Sequence, residues 1–134
     1  MEYYGHDNMA ILNGGMAQWI LDKRKVSIKK SKVKKGNWVA TAERSSVLAT
    51  TKDVVTAVED KNIQLLDARA LSLYLGSWRK KSYVFASVHI PSAKNYPHEL
   101  LTGIMPAKFV SNSMTKEMLQ QLGLNINDTT VAYC

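Results

Sequence analysis

The sequence predicts an α/β fold, a parallel sheet flanked by helices. Three observations lead there. Short apolar runs of strand length recur at Met9–Leu12, Ile63–Leu66 and Thr129–Tyr133. Between them lie stripes at helical spacing, at Met16–Lys25, Thr51–Lys61 and Ser113–Gly123. Glycine, asparagine and proline punctuate the joints. Strands that alternate with helices build a parallel sheet rather than hairpins.

Met9-Ala10-Ile11-Leu12 is long enough only for a buried strand, and Asn13-Gly14-Gly15 turns the chain after it. Met16, Trp19 and Ile20 then share a helical face, and Lys23, Arg24 and Lys25 complement the negative end of that helix. The Asn-Gly-Gly turn lacks the spacing of a glycine-rich nucleotide loop. Val26 to Lys35 reads as an extended connector. Gly36-Asn37 marks a turn, and Trp38-Val39-Ala40 begins a new unit. The division is therefore 1–25, a strand–helix unit; 26–37, a basic linker; and 38–134, a fuller α/β unit.

In the third part, Thr51 is the expected N-cap of a helix whose stripe is Val54, Val55 and Val58. Ile63 to Leu66 is a buried strand with Asp67 and Arg69 at its carboxyl end, the side where ligands gather in open α/β sheets. A structural ion pair is the simpler reading of Asp67 and Arg69. The proline after His89-Ile90 keeps that stretch extended, and Ala93 to Tyr96 is the expected edge strand. Glu99 to Ile104 reads as helical. Ser113 is the expected cap of a helix lined by Met114, Met118, Leu119 and Leu122 and closed by Gly123. Thr129 to Tyr133 is the last strand and delivers Cys134 to the rim shared with Asp67 and Arg69.

Composition bounds the function. A chain of 134 residues, 46% apolar and 22% charged, has the make-up of one globular core. No apolar run approaches the roughly 20 residues that cross a bilayer. The acidic start lacks the basic-then-apolar order of a secretory signal. A single cysteine excludes an internal disulfide and suits a reducing compartment, so the cytoplasm is the expected location and no membrane the expectation. His6 and His98 have no partner at metal-ligand spacing, so no metal and no cofactor is expected.

The formal net charge of +7 is one segment's doing. From Lys23 to Lys35, eight of 13 residues are Lys or Arg and none is acidic. Such a stretch can hold an anion or a nucleic-acid backbone. It can equally be a solvated linker. Scarce arginine, and no aromatic residue before Trp38, favour the linker and argue against nucleic acid.

"LLDARA", then "VHIPSAKNYP", then "DTTVAYC" stand in the order of a rhodanese domain, and "YYGHDNMAILNGGMAQW" resembles the closing strand and helix of another. The chain thus resembles the middle of a tandem rhodanese-like sulfurtransferase of the thiosulfate or 3-mercaptopyruvate type. The resemblance covers nearly all of it. It implies a first domain ending at residue 25, a linker over 26–37, and a second domain over 38–134 truncated at its active-site cysteine. It implies sulfur transfer, in which Cys134 takes the outer sulfur of a small anionic donor as a persulfide and passes it to cyanide or a thiol.

The departures from the family pattern bear on the substrate. Four residues after Arg69, where members carry an arginine for the substrate's anionic group, stands Leu73, and the second such position is Ser82. Arg79, Lys80 and Lys81 are the nearby candidates to supply that charge. "GHIPGA" is here Val88-His89-Ile90-Pro91-Ser92-Ala93, and Asn13 replaces the usual Asp. His89 invites reading as a general base, and more simply as a structural histidine at the turn before Pro91.

A thiolate nucleophile needs stabilisation. The family supplies it from backbone N–H groups in the loop after the cysteine. With Cys134 as the last residue, its own carboxylate would disfavour the thiolate, and negligible turnover is expected of these residues alone. The competing expectation is a non-catalytic rhodanese-like module that binds a partner or anion through its basic linker. A further expectation is structural: Met9–Lys25 occupies a vacant place in the sheet beside Val131, as in a circular permutant.

Overall fold

The computed structural model describes residues 1–77, 88–103 and 106–134. Its centre is a parallel sheet of β1 (Ile63–Asp67), β2 (Lys94–Asn95) and β3 (Thr129–Tyr133), ordered β2-β1-β3. Leu65 pairs with Val131, Asp67 with Tyr133, and Asp67 on its other side with Asn95. Helices α1 (Gly15–Leu21), α2 (Thr51–Glu59), α3 (Leu71–Tyr74) and α4 (Asn112–Gln121) complete the regular structure, with single 3-10 turns at Glu2–Tyr4, Ser45–Val47 and His98–Leu101. The core is small. Ala57 of α2, Leu65 of β1 and Ala93 are buried together, with Val54, Val58, Ile63, Ile90, Val131 and Tyr133 packed around them.

The helix ends show why the chain folds locally as it does. Helix α2 opens on Thr50, one residue before the expected cap. The Asp53 N–H donates to the Thr50 hydroxyl (3.3 Å), and the Thr50 N–H donates back to the Asp53 carboxylate (2.7 Å). Both threonines can cap, but only Thr50 has an acid three residues on to close the box. Helix α4 is capped by Ser111 rather than Ser113, because Ser113 already lies inside the first turn and bonds Ser111's hydroxyl.

Helices α1, α3 and α4 all end in one motif. In each, the residue two past the last helical one has positive φ, at Lys23 (54°), Gly76 (72°) and Gly123 (70°). Its N–H and the next reach back to the final turn: Lys23 to Ile20 and Arg24 to Trp19; Gly76 to Leu73 and Ser77 to Ser72; Gly123 to Gln120 and Leu124 to Leu119. These paired backbone bonds satisfy carbonyls that the helix leaves open. Helix α1 therefore stops at Leu21, short of the expected Lys25. Glu99–Ile104, expected to be helical, contributes only the 3-10 turn, and Ile104 lies outside the described residues.

Two expectations for the N-terminal unit are corrected. Met9–Leu12 forms no strand: Ile11 is 78% and Leu12 58% exposed. Nor does this segment sit beside Val131. The outer side of β3 faces Ser45–Thr50 across a groove of about 670 Å³. The unit instead meets the chain near Phe109, whose N–H donates to the Asn13 side chain (2.8 Å). A run of four apolar residues lacks a strand's burial unless a neighbouring edge is in reach, and among the described residues none takes it up.

The first seven residues return across the basic stretch. The Thr41 N–H donates to the Tyr4 carbonyl (3.0 Å) and the Arg44 N–H to the Tyr3 carbonyl (2.9 Å). The Arg44 guanidinium forks onto the Asp7 carboxylate (2.5 and 2.7 Å), and the Tyr3 hydroxyl donates to Glu43. Residues on both sides of the linker are thus joined at its base. Trp38–Ala40, where the new unit was expected to begin, carries no regular structure.

Candidate active site

Because β1 and β3 run parallel and in register, their carboxyl ends finish on one rim. Asp67 ends β1, Arg69 follows two residues on, and Cys134 follows β3 directly, exposed and unpaired by any disulfide. The adjoining backbone is tied across strands: the Ala68 N–H donates to the Tyr133 carbonyl (2.8 Å), and the Tyr96 N–H to the Asp67 carbonyl (2.9 Å). The Asn95 side-chain amide reaches both the Asp67 and Arg69 carbonyls (3.0 and 2.9 Å).

Asp67 has no exposed surface and is the one fully buried carboxylate among the described residues. Arg69 satisfies it from three directions. Its backbone N–H donates at 2.9 Å, its Nε bridges both oxygens at 3.0 and 3.1 Å, and its Nη2 donates at 2.6 Å. Burial pushes the Asp67 carboxyl up, but these bonds and the Arg69 charge outweigh it and leave the group below the usual carboxylate range. Arg69 is raised in turn, first by its bond to Asp67.

The pair also organises its neighbours. Arg69 Nη2 donates to the Val88 carbonyl (2.9 Å), and its guanidinium lies 5.4 Å from the centre of the Tyr133 ring. The Tyr133 hydroxyl accepts the Ile90 N–H (3.1 Å). Burial, then the Asp67 carboxylate, pushes the Tyr133 phenol up. The residue just before Cys134 is therefore held by its carbonyl, its ring face and its hydroxyl.

No family model matches the chain. Bovine (Bos taurus) thiosulfate sulfurtransferase is 34% identical over 95 residues, 70% of this chain and 32% of that protein. A Saccharopolyspora erythraea protein named "Putative thiosulfate sulfurtransferase" is 28% identical over 136 residues, 98% of this chain and 47% of the relative. Among solved structures, the 3-mercaptopyruvate sulfotransferase SseA from Escherichia coli, described as having the "Rhodanese" fold, superposes with a TM-score of 0.78 over 99% of this chain and 48% of its own, at 20% identity. The chain belongs to the rhodanese-like sulfurtransferase family. It spans about half the length or less of the curated relatives it matches.

Within this rhodanese-like frame, the sequence-predicted rim residues Asp67, Arg69 and Cys134 lie at the ends of adjacent strands. Arg79, Lys80 and Lys81 lie outside the described residues, as does Ser82. Leu73 is half-buried on α3. His89 is stacked on the Tyr74 ring, centroids 3.8 Å apart, with Nδ1 3.0 Å from the Tyr74 carbonyl, and the Tyr74 hydroxyl donates to the Ala93 carbonyl (2.9 Å). Those contacts are structural. Among the described residues, no three of His, Cys, Asp and Glu gather as a metal site. Sequence reasoning overlooked Tyr133 and Asn95. The one available signal was position: Tyr133 adjoins the cysteine, and Asn95 follows the Ile-Pro-Ser-Ala turn.

Proposed function

We propose that Cys134 is the nucleophile of a sulfurtransferase acting through a cysteine persulfide. The shared rim of β1 and β3, in a chain with 34% identity over 95 residues to a thiosulfate sulfurtransferase, carries this reading. The Cys134 thiolate attacks the outer sulfur of thiosulfate or the thiol sulfur of 3-mercaptopyruvate, whose C–S bond then breaks to release the enolate that is protonated to pyruvate. With thiosulfate, the donor's S–S bond breaks, sulfite leaves with the electron pair, and the enzyme holds Cys–S–S⁻. Cyanide or a thiolate then attacks the outer sulfur. The Cys134 S–S bond breaks in its turn, and the thiolate is restored.

Asp67 and Arg69 act as the brace of the rim. Arg69 directs its Nε and Nη2 at Asp67 and Val88, and Arg79, Lys80 and Lys81 are assigned the donor's anionic group by charge. Prolonged incubation with thiosulfate, which asks for a single sulfur transfer and not for turnover, should add the mass of one sulfur atom to the chain, lost again on cyanide addition and absent in Cys134→Ser. Sulfur uptake by Cys134→Ser would overturn the assignment. The expectation of negligible turnover by these 134 residues is tested in the thiosulfate:cyanide assay, where a rate near that of a complete tandem enzyme overturns it.

A further inference from the structure

The proposed chemistry leaves the most charged part of the molecule unused. Every residue from Lys23 to Lys35 is exposed and, among the described elements, belongs to no helix or strand. Among the described residues, Arg24 alone of its eight cations has a carboxylate in range, Asp22 at 3.5 Å. The stretch is also not purely polar. Ile28 is fully exposed, Val33 is 91% exposed and Val26 60%. The Tyr4–Thr41 and Asp7–Arg44 contacts close it at the base, so it stands out as a loop rather than trailing as a free tail.

We propose, against the expectation of no membrane contact, that the Lys23–Lys35 loop is an electrostatic docking surface for an anionic lipid bilayer. Seven of its eight cations are lysines, compact point charges that need no fixed partner geometry. A field of lipid headgroups offers charge without geometry. Nucleic acid is usually gripped by stacking aromatic rings and by arginine forks, and the loop has no aromatic residue and one arginine. The exposed Ile28, Val33 and Val26 gain nothing on a phosphate backbone. They do gain where an apolar phase lies just beneath the charge layer.

The test is co-sedimentation of the full chain with vesicles of phosphatidylcholine alone, or of phosphatidylcholine carrying phosphatidylserine. Binding is expected only to the anionic vesicles, and should weaken steeply as the Debye length contracts from about 30 Å at 0.01 M salt to about 8 Å at 0.15 M. Each lysine removed should cost about fivefold in affinity, so Lys29→Ala, Lys30→Ala and Lys32→Ala together cost about a hundredfold. Ile28→Ser with Val33→Ser should weaken vesicle binding severalfold and leave heparin binding unchanged. These side chains are exposed, so circular dichroism of the variants should match the parent. Equal binding to neutral vesicles, or none to anionic vesicles at low salt, overturns the proposal. Tighter binding to a single-stranded oligonucleotide, indifferent to Ile28→Ser, reassigns the loop to nucleic acid and overturns it too.

Discussion

At the level of single residues, Asp67 is the most consequential side chain described. A buried carboxylate is tolerable only while a cation and donors surround it. Asp67→Asn keeps the shape but leaves Arg69 without its counter-charge, and should lower unfolding free energy by about 3 kcal/mol in urea titrations. The pH dependence has a definite sign. The folded carboxyl titrates below its unfolded value, so folding favours the ionised form. That contribution is complete above the ordinary carboxylate pKa of about 4 and fades as pH falls through the lower folded value. Thermal melts in acid should show the parent losing this stability while Asp67→Asn does not. Asp67 and Arg69 were legible in the sequence because a charged pair after an apolar strand has few places to go. Tyr133 was not, because its hydroxyl's partner, Ile90, is 43 residues away in sequence.

Elements were legible in type and less so at their ends. The strands β1 and β3 and the helices α2 and α4 follow from apolar spacing alone. Their caps shifted by one or two residues where neighbouring threonines or serines could each serve, and the acid at Asp53 settled one case. Met9–Leu12 failed as a strand because an apolar run says only that burial would be favourable, and among the described residues no strand pairs with it. The three matching helix ends lead to a direct test. Gly76 and Gly123 occupy left-handed positions without penalty, whereas Lys23 does so with a β-carbon. Lys23→Gly should therefore stabilise the chain by about 0.5 kcal/mol, against the usual direction for a glycine substitution. A drop in melting temperature would show that α1 does not keep this ending in solution.

For the whole molecule, the sheet puts the cysteine and its brace at one rim, while eight of the 18 cations sit in a loop tied off by the first seven residues. That tie is built from exposed groups: Arg44 is 40% and Asp7 62% exposed at the side chain. Exposed contacts of this kind are screened by solvent and add little stability each. They hold because the two ends belong to one chain, which keeps them at a high effective concentration. Cutting the loop removes that advantage. Brief trypsin treatment should cleave first among the exposed lysines, and the N-terminal piece, left to bind as a separate molecule, should come away on native size exclusion. If it stays attached, the bond between Asn13 and Phe109 and its surroundings contribute more than their exposure implies. The connecting peptide is thus itself a structural restraint, supplying by covalent tethering what the contacts at its base lack in strength.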